Sequence, residues 1–165
     1  MKTTKLIPMA MLALLVPAAA QSQSTVNASA TVANYSALSG TGALSFGTLS
    51  RTVENSVSAV GGATTRGLDY NHNLAVSYSN VPANLTATVN SQSINLPVAL
   101  KCAYKIGTGS WSSAAACGAA TFNLDVGAAL TSATLGFGGD ITAANVANAP
   151  AATYTGSFDI VLTAR

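Results

Sequence analysis

The stretch Tyr154-Thr-Gly-Ser-Phe-Asp-Ile-Val-Leu-Thr-Ala-Arg165 decides the fold. Its even positions (Tyr154, Gly156, Phe158, Ile160, Leu162 and Ala164) are apolar or small, and among the odd positions only Val161 is apolar. A period of two marks a β-strand with one face in a core and one in water, because successive side chains point to opposite sides of a sheet. Such a strand needs something along its outer edge, where unpaired N–H and C=O groups invite another chain. Tyr154, Phe158, Ile160 and Leu162 are the candidate wall of an acceptor edge.

The same period recurs upstream. Val26, Ala28, Ala30 and Val32 alternate with Thr25, Asn27, Ser29 and Thr31, which predicts a strand with small apolar side chains. Ala43 to Leu49 is a further short strand candidate. Residues 50–73 are irregular, with Gly61-Gly62 and Arg66-Gly-Leu-Asp-Tyr-Asn-His-Asn73 reading as turns and loop. Leu74, Val76 and Tyr78 alternate, as do Leu85, Ala87 and Val89. The turn Asn80-Val-Pro-Ala-Asn84 between them reads as a hairpin connection. The longest alternation runs from Ile94 to Ile106. Pro97 within it cannot donate to a ladder, so the strand must be an edge there or be bulged. Phe122, Leu124 and Val126 make another strand. Leu135-Gly-Phe-Gly-Gly139 reads as a strand running into a tight turn, and 143–152 as an Ala/Asn loop. No segment beyond the N-terminal leader has a helical period. About eight short strands separated by turns predict an all-β antiparallel sandwich.

The leader is Met1-Lys-Thr-Thr-Lys5 followed by an uncharged run from Leu6 to Val16 and by Pro17-Ala-Ala-Ala20. A basic start, a short apolar run and an Ala-x-Ala site form a secretory signal, read as residues 1–20 and cleaved after Ala20. The apolar run is shorter than the roughly 20 residues a bilayer-spanning helix needs. The expectation is one domain, residues 21–165, exported to the periplasm, the cell surface or the medium, with no integral membrane segment. Lys2 and Lys5 leave with the signal, so five basic side chains face five acidic ones in the remainder. That balance offers no basic patch for nucleic acid. It also gives little electrostatic resistance to self-association.

Cys102 and Cys117 are the chain's two cysteines. In an exported chain they predict one disulfide. A structural metal site would need more ligands than two thiols and the single histidine, His72, supply. A catalytic reading would have to put His72 and Asp69 into a hydrolase triad. No serine sits in a Gly-x-Ser-x-Gly elbow, and no phosphate-binding loop is present. The scattered acids form no Asp-x-Asp pair for calcium. The reading is therefore non-enzymatic and without a cofactor. Trp111, among Gly107, Gly109, Ser110 and Ser112, is the candidate ligand contact. It either stacks on a sugar or folds back over the disulfide as a cap.

Ala133-Thr-Leu-Gly-Phe-Gly-Gly-Asp-Ile-Thr142, Pro150, Tyr154-Thr-Gly-Ser-Phe-Asp-Ile-Val-Leu-Thr163 and Leu44-Ser-Phe-Gly-Thr-Leu49 together resemble a bacterial secreted domain family. That family is related to spore coat protein U and, more distantly, to pilin-like subunits of the chaperone-usher pathway. The resemblance implies an immunoglobulin-like sandwich that joins a fimbria-like or coat-like surface assembly by β-strand addition. Its partners would be copies of itself or related subunits, handled by a periplasmic chaperone and an outer-membrane usher. Val26, Ala28, Ala30 and Val32 would then be the donor strand. Their small side chains depart from the large anchors of classical pilin donors. The alternative is a self-contained extracellular binding or adhesion domain, for instance for carbohydrate, using Trp111.

Overall fold

Alternation becomes pairing in the computed structural model, which describes residues 29–40, 43–127 and 130–165. The chain divides into two units, Met1–Val32 and Ala33–Arg165. The predicted signal, Val26 and Ala28 lie outside the described residues. Ser29–Val32, with Ala30, carries no strand, although the alternation predicts one, and Val32 is 83% exposed. A period of two prepares a segment for a ladder, but only a partner strand makes one.

Eleven strands, all paired antiparallel, are present among the described residues. The larger sheet uses β1 (Ser36–Ser39), β2 (Asn55–Val57), β3 (Thr65–Tyr70), β7 (Ala99–Ile106), β8 (Ala115–Ala116) and β10 (Thr131–Ile141). Its order is β1-β3-β10-β7-β8, with β2 continuing the β3 side of β10. The second sheet is β11 (Asp159–Ala164), β4 (Leu74–Ser79) and β9 (Thr121–Leu124), in the order β11-β4-β9. A hairpin of β5 (Asn84–Val89) and β6 (Gln92–Pro97) stands apart. The two larger sheets face each other as a sandwich. Leu68, Tyr70, Cys102, Leu135 and Phe137 come from one side, and Leu74, Val76, Tyr78, Phe122 and Leu124 from the other. Tyr78 meets Phe137 across the gap, edge to face at 5.9 Å between ring centroids, the geometry that the ring quadrupoles favour.

Several local expectations change. The run Arg66–Tyr70 is strand, not loop: Leu68 and Tyr70 are buried on one face of β3, and only 71–73 turns the chain into the other sheet. Its arginine, glycine and aspartate hid two inward positions. β4 and β5 are not a hairpin. β5 pairs with β6 instead, through a two-residue turn in which Asn90 and Ser91 both have positive φ (50° and 63°), as a primed hairpin turn requires. The long alternation 94–106 is two strands. Past Pro97, the Val98 N–H donates to the Ala83 carbonyl, and the chain leaves the hairpin for the larger sheet. A short helix, α1 (Ala143–Ala147), capped by the Thr142 side chain, replaces the expected loop and buries Val146.

β10 runs unbroken through Gly136, Gly138 and Gly139 rather than ending in a tight turn there. Its odd positions face the core. Its even glycines lie under the chain between β2 and β3. A methyl group at Gly138 would stand 2.6 Å from the Ser58 carbonyl carbon and closer still to the Val57 carbonyl oxygen; one at Gly136 would meet the Ala59 carbonyl. These glycines exist so that a second backbone can cross the outer face of the strand.

Candidate functional site

The terminal segment supplies an open edge. Strand β11 begins at Asp159, not at Tyr154. Tyr154 lies in the approach, where its hydroxyl donates to the Pro150 carbonyl and neighbouring Thr155 bridges to Thr86. Among the described residues β11 pairs with β4 alone, in the register Ile160↔Tyr78 and Leu162↔Val76. The Arg165 N–H donates to the Asn73 carbonyl. In an antiparallel pair, residues that bond the partner alternate with residues whose amides point away. Counting back from Arg165, Asp159, Val161 and Thr163 bond β4. The N–H and C=O groups of Ile160 and Leu162 therefore face the edge that no strand of the described residues occupies.

The side chains agree. Phe158, Ile160 and Leu162 all point into the core but are only half-buried, whereas their β4 neighbours Leu74, Val76 and Tyr78 are buried. The difference is position in the sheet: β4 has a strand on each side and β11 has one. Two of the four predicted edge residues, Ile160 and Leu162, therefore lie on β11, with Phe158 immediately before it and Tyr154 further back in the approach.

A cavity of about 950 Å³ opens beside this edge. Tyr154, Phe158 and Ile160 form one wall, and Phe137, Leu100 and Val146 reach it from the core. The opposite wall is the predicted strand around Leu44-Ser-Phe-Gly-Thr-Leu49, which is no strand at all: residues 43–49 belong to no ladder. Leu44, Phe46 and Leu49 hold it in place by packing partly buried against the core. Gly47, at a φ of 66°, turns the chain after Phe46 so that Leu49, not Thr48, points inward. Arg51 donates to the Ala149 carbonyl at the same groove. The groove thus lies between an edge with free amides and a segment of the same chain that has no ladder partner. Sequence reading found the β11 wall but took the 43–49 wall for a paired strand.

The other candidates fall elsewhere. Cys102 and Cys117 are bonded, Cα to Cα at 5.0 Å, and join β7 to the 3₁₀ turn Cys117–Ala119. Closing this loop contributes about 3 kcal/mol in the chain-entropy view. Trp111 is half-buried and lies over the outer face of the larger sheet, not over the disulfide. A methyl at Gly136 would be 2.8 Å from its ring, and Lys105 Nζ sits 5.5 Å from the ring centroid. The loop is folded back onto β7 by the Ser112 N–H, which donates to the Tyr104 carbonyl, and by Ser112 Oγ, which accepts from the Tyr104 N–H. A shallow surface hollow of about 260 Å³ lies between Trp111, Tyr104 and Ile106.

His72 lies in the turn between the sheets, and its Nδ1 is 3.3 Å from the Asn71 side-chain oxygen. Asp69 is on the exposed side of β3. Among the described residues no group of three His, Cys, Asp or Glu side chains is placed to hold a metal ion. The clearest carboxylate shift is structural. The Lys101 ammonium and the Ser56 hydroxyl both donate to Asp140 and hold its pKa below the usual carboxylate range, tying β7, β10 and β2 together. The Tyr78 and Tyr70 hydroxyls are buried without a hydrogen-bond partner, and burial pushes both phenols up.

Among the described residues no helix is long and apolar enough to cross a membrane. A comparison with family models, with curated protein sequences and with solved structures finds no match to this chain.

Proposed function

We propose that this chain is an exported structural subunit that assembles on the cell surface by β-strand addition, without enzymatic activity. The observation that carries the reading is the half-buried inward face of Phe158, Ile160 and Leu162, on and just before a strand whose outer amides have no ladder partner among the described residues, beside a groove of about 950 Å³. An extended segment laid there gains a main-chain ladder and covers three apolar side chains together. The occupant is the 21–33 segment of a second copy. Its residues are uncharged, and Val26, Ala28, Ala30 and Val32 alternate in the manner a donor needs. Twelve residues from Gln21 to Val32 reach about 40 Å when extended. The six residues of β11 span about 20 Å, so the segment covers the whole edge and leaves a tether. The apolar Val32, 83% exposed, fits a residue that is covered only on assembly.

The test is the assembly state of the exported protein with and without residues 21–33. The full chain should form ladders of multimers that resist mild detergent, and the deletion should stay monomeric and folded. A full chain that remains monomeric at high concentration, or a deletion that assembles equally well, would sink the reading.

A further inference from the structure

The groove is already partly filled from within, and this bears on which strand it accepts. We infer that Phe46, with Leu44 beside it, makes the groove selective for a strand whose inward side chains are small; the inference rests on the strand-addition reading. Phe46 crosses the groove to its floor. Its Cζ stands 3.2 Å from the place a Cβ on Gly139 would occupy, so the ring tip rests on the backbone of β10 where a side chain is missing. Leu44 and Leu49 pack against the core from the same segment. In strand addition the main chain supplies the ladder, and pockets for alternate side chains set which strand fits. Here part of the apolar volume beside the edge is supplied by the acceptor's own chain, and because Phe46 and Ile160 line the same cavity, a strand added along Ile160 meets the phenyl ring on its inward side. Where the ring already takes up the space on the inward side, a larger side chain on the incoming strand must shift its neighbours.

The segment proposed as donor has this character at its centre. Ala28 and Ala30 are its middle inward positions, with Val26 and Val32 outside them. Phe46 and the two alanines form one size-complementary set divided between two copies: a large side chain in the groove wall and small ones on the strand. Phe46 is then a specificity-determining residue, whose size is read against the incoming strand.

The experiment titrates the exported protein with two labelled synthetic peptides of residues 21–33. One has the native sequence and the other carries Ala28→Leu and Ala30→Leu; fluorescence anisotropy reads binding. The native peptide should bind, and the leucine peptide should bind about tenfold more weakly or worse. With Phe46→Ala the order should reverse. Phe46→Leu, a milder change, keeps the test open should Phe46→Ala fail to fold by circular dichroism, and it should narrow the gap between the peptides. A leucine peptide that binds the unaltered protein as tightly as the native one overturns the inference and leaves strand addition standing. If neither peptide binds, and the full chain also stays monomeric, strand addition falls and the inference with it.

Discussion

Gly138→Ala tests the crossing of two backbones on the outer face of β10. The new methyl would stand 2.6 Å from the Ser58 carbonyl carbon and nearer still to the Val57 oxygen, where carbon contacts settle at about 3.5–4.0 Å. The obstructing atoms are main chain, so no rotamer change relieves them. Overpacking of this kind costs about 1–3 kcal/mol. Lifting the chain away would also loosen the β2–β10 pairing Gly139↔Val57, at about 1 kcal/mol per hydrogen bond. Against this, replacing glycine by alanine stabilises by about 0.4–1 kcal/mol through the unfolded chain. The net expectation is a loss of about 1–3.5 kcal/mol from those terms. Urea unfolding measures it, with Gly118→Ala as the control, since a methyl there meets nothing nearer than 3.8 Å. Trp111, the only tryptophan, lies over neighbouring Gly136, so its emission should shift to the red as the crossing segment lifts. If Gly138→Ala unfolds within about 0.5 kcal/mol of the parent, inside the range of ordinary surface changes, the close crossing is not a feature of the folded protein.

Three further outcomes follow from the site and its surroundings. Val161→Pro should destabilise more than Ile160→Pro despite the more buried side chain at 160, because only the Val161 N–H bonds β4; Ile160→Pro should fold and yet fail to bind the 21–33 peptide, and the opposite order in thermal melts would refute the assignment of the free edge. Tyr78→Phe removes a buried hydroxyl that has no partner and should leave stability unchanged or raise it by about 1 kcal/mol; a loss above that in urea melts would mean the hydroxyl is bonded. Asp140 has a folded pKa below its unfolded value, so its contribution is present above the unfolded value of about 3.9 and disappears as pH falls through the folded one. Between pH 5 and about 3 the parent should lose more stability than Asp140→Asn, and parallel acid titrations would contradict this.

The regular strands were legible because each answers to one period: Leu74, Val76 and Tyr78 on β4, and Ile160 and Leu162 on β11, with Phe158 leading into it. Pairing was not, since β4 and β5 alternate equally well whether or not they meet, and only the Asn90-Ser91 turn decides for β5 and β6. Cys102 and Cys117 were legible as a pair from compartment and count. The crossing over Gly136 and Gly138 was hidden, because glycine in a strand reads as a turn unless the second backbone is in view. The opposite wall of the groove was misread for a related reason. Leu44 and Phe46 alternate as strand residues do, but what holds them is side-chain packing alone, and a period of two does not distinguish the two cases.

The place of β10 in the larger sheet has a consequence in time. It lies between β3 and β7, yet it comes from residues 131–141, so its partner β3 waits through some sixty intervening residues. Pairings this distant in sequence close slowly, because loop entropy must be met before any contact repays it. Until residue 141 has been delivered, the larger sheet lacks its middle. Cys102 and Cys117, 15 residues apart, can join well before that. A chain ending at residue 130 should therefore form the disulfide and still show no cooperative unfolding transition, and a cooperative melt of that fragment would mean that the larger sheet does not depend on β10.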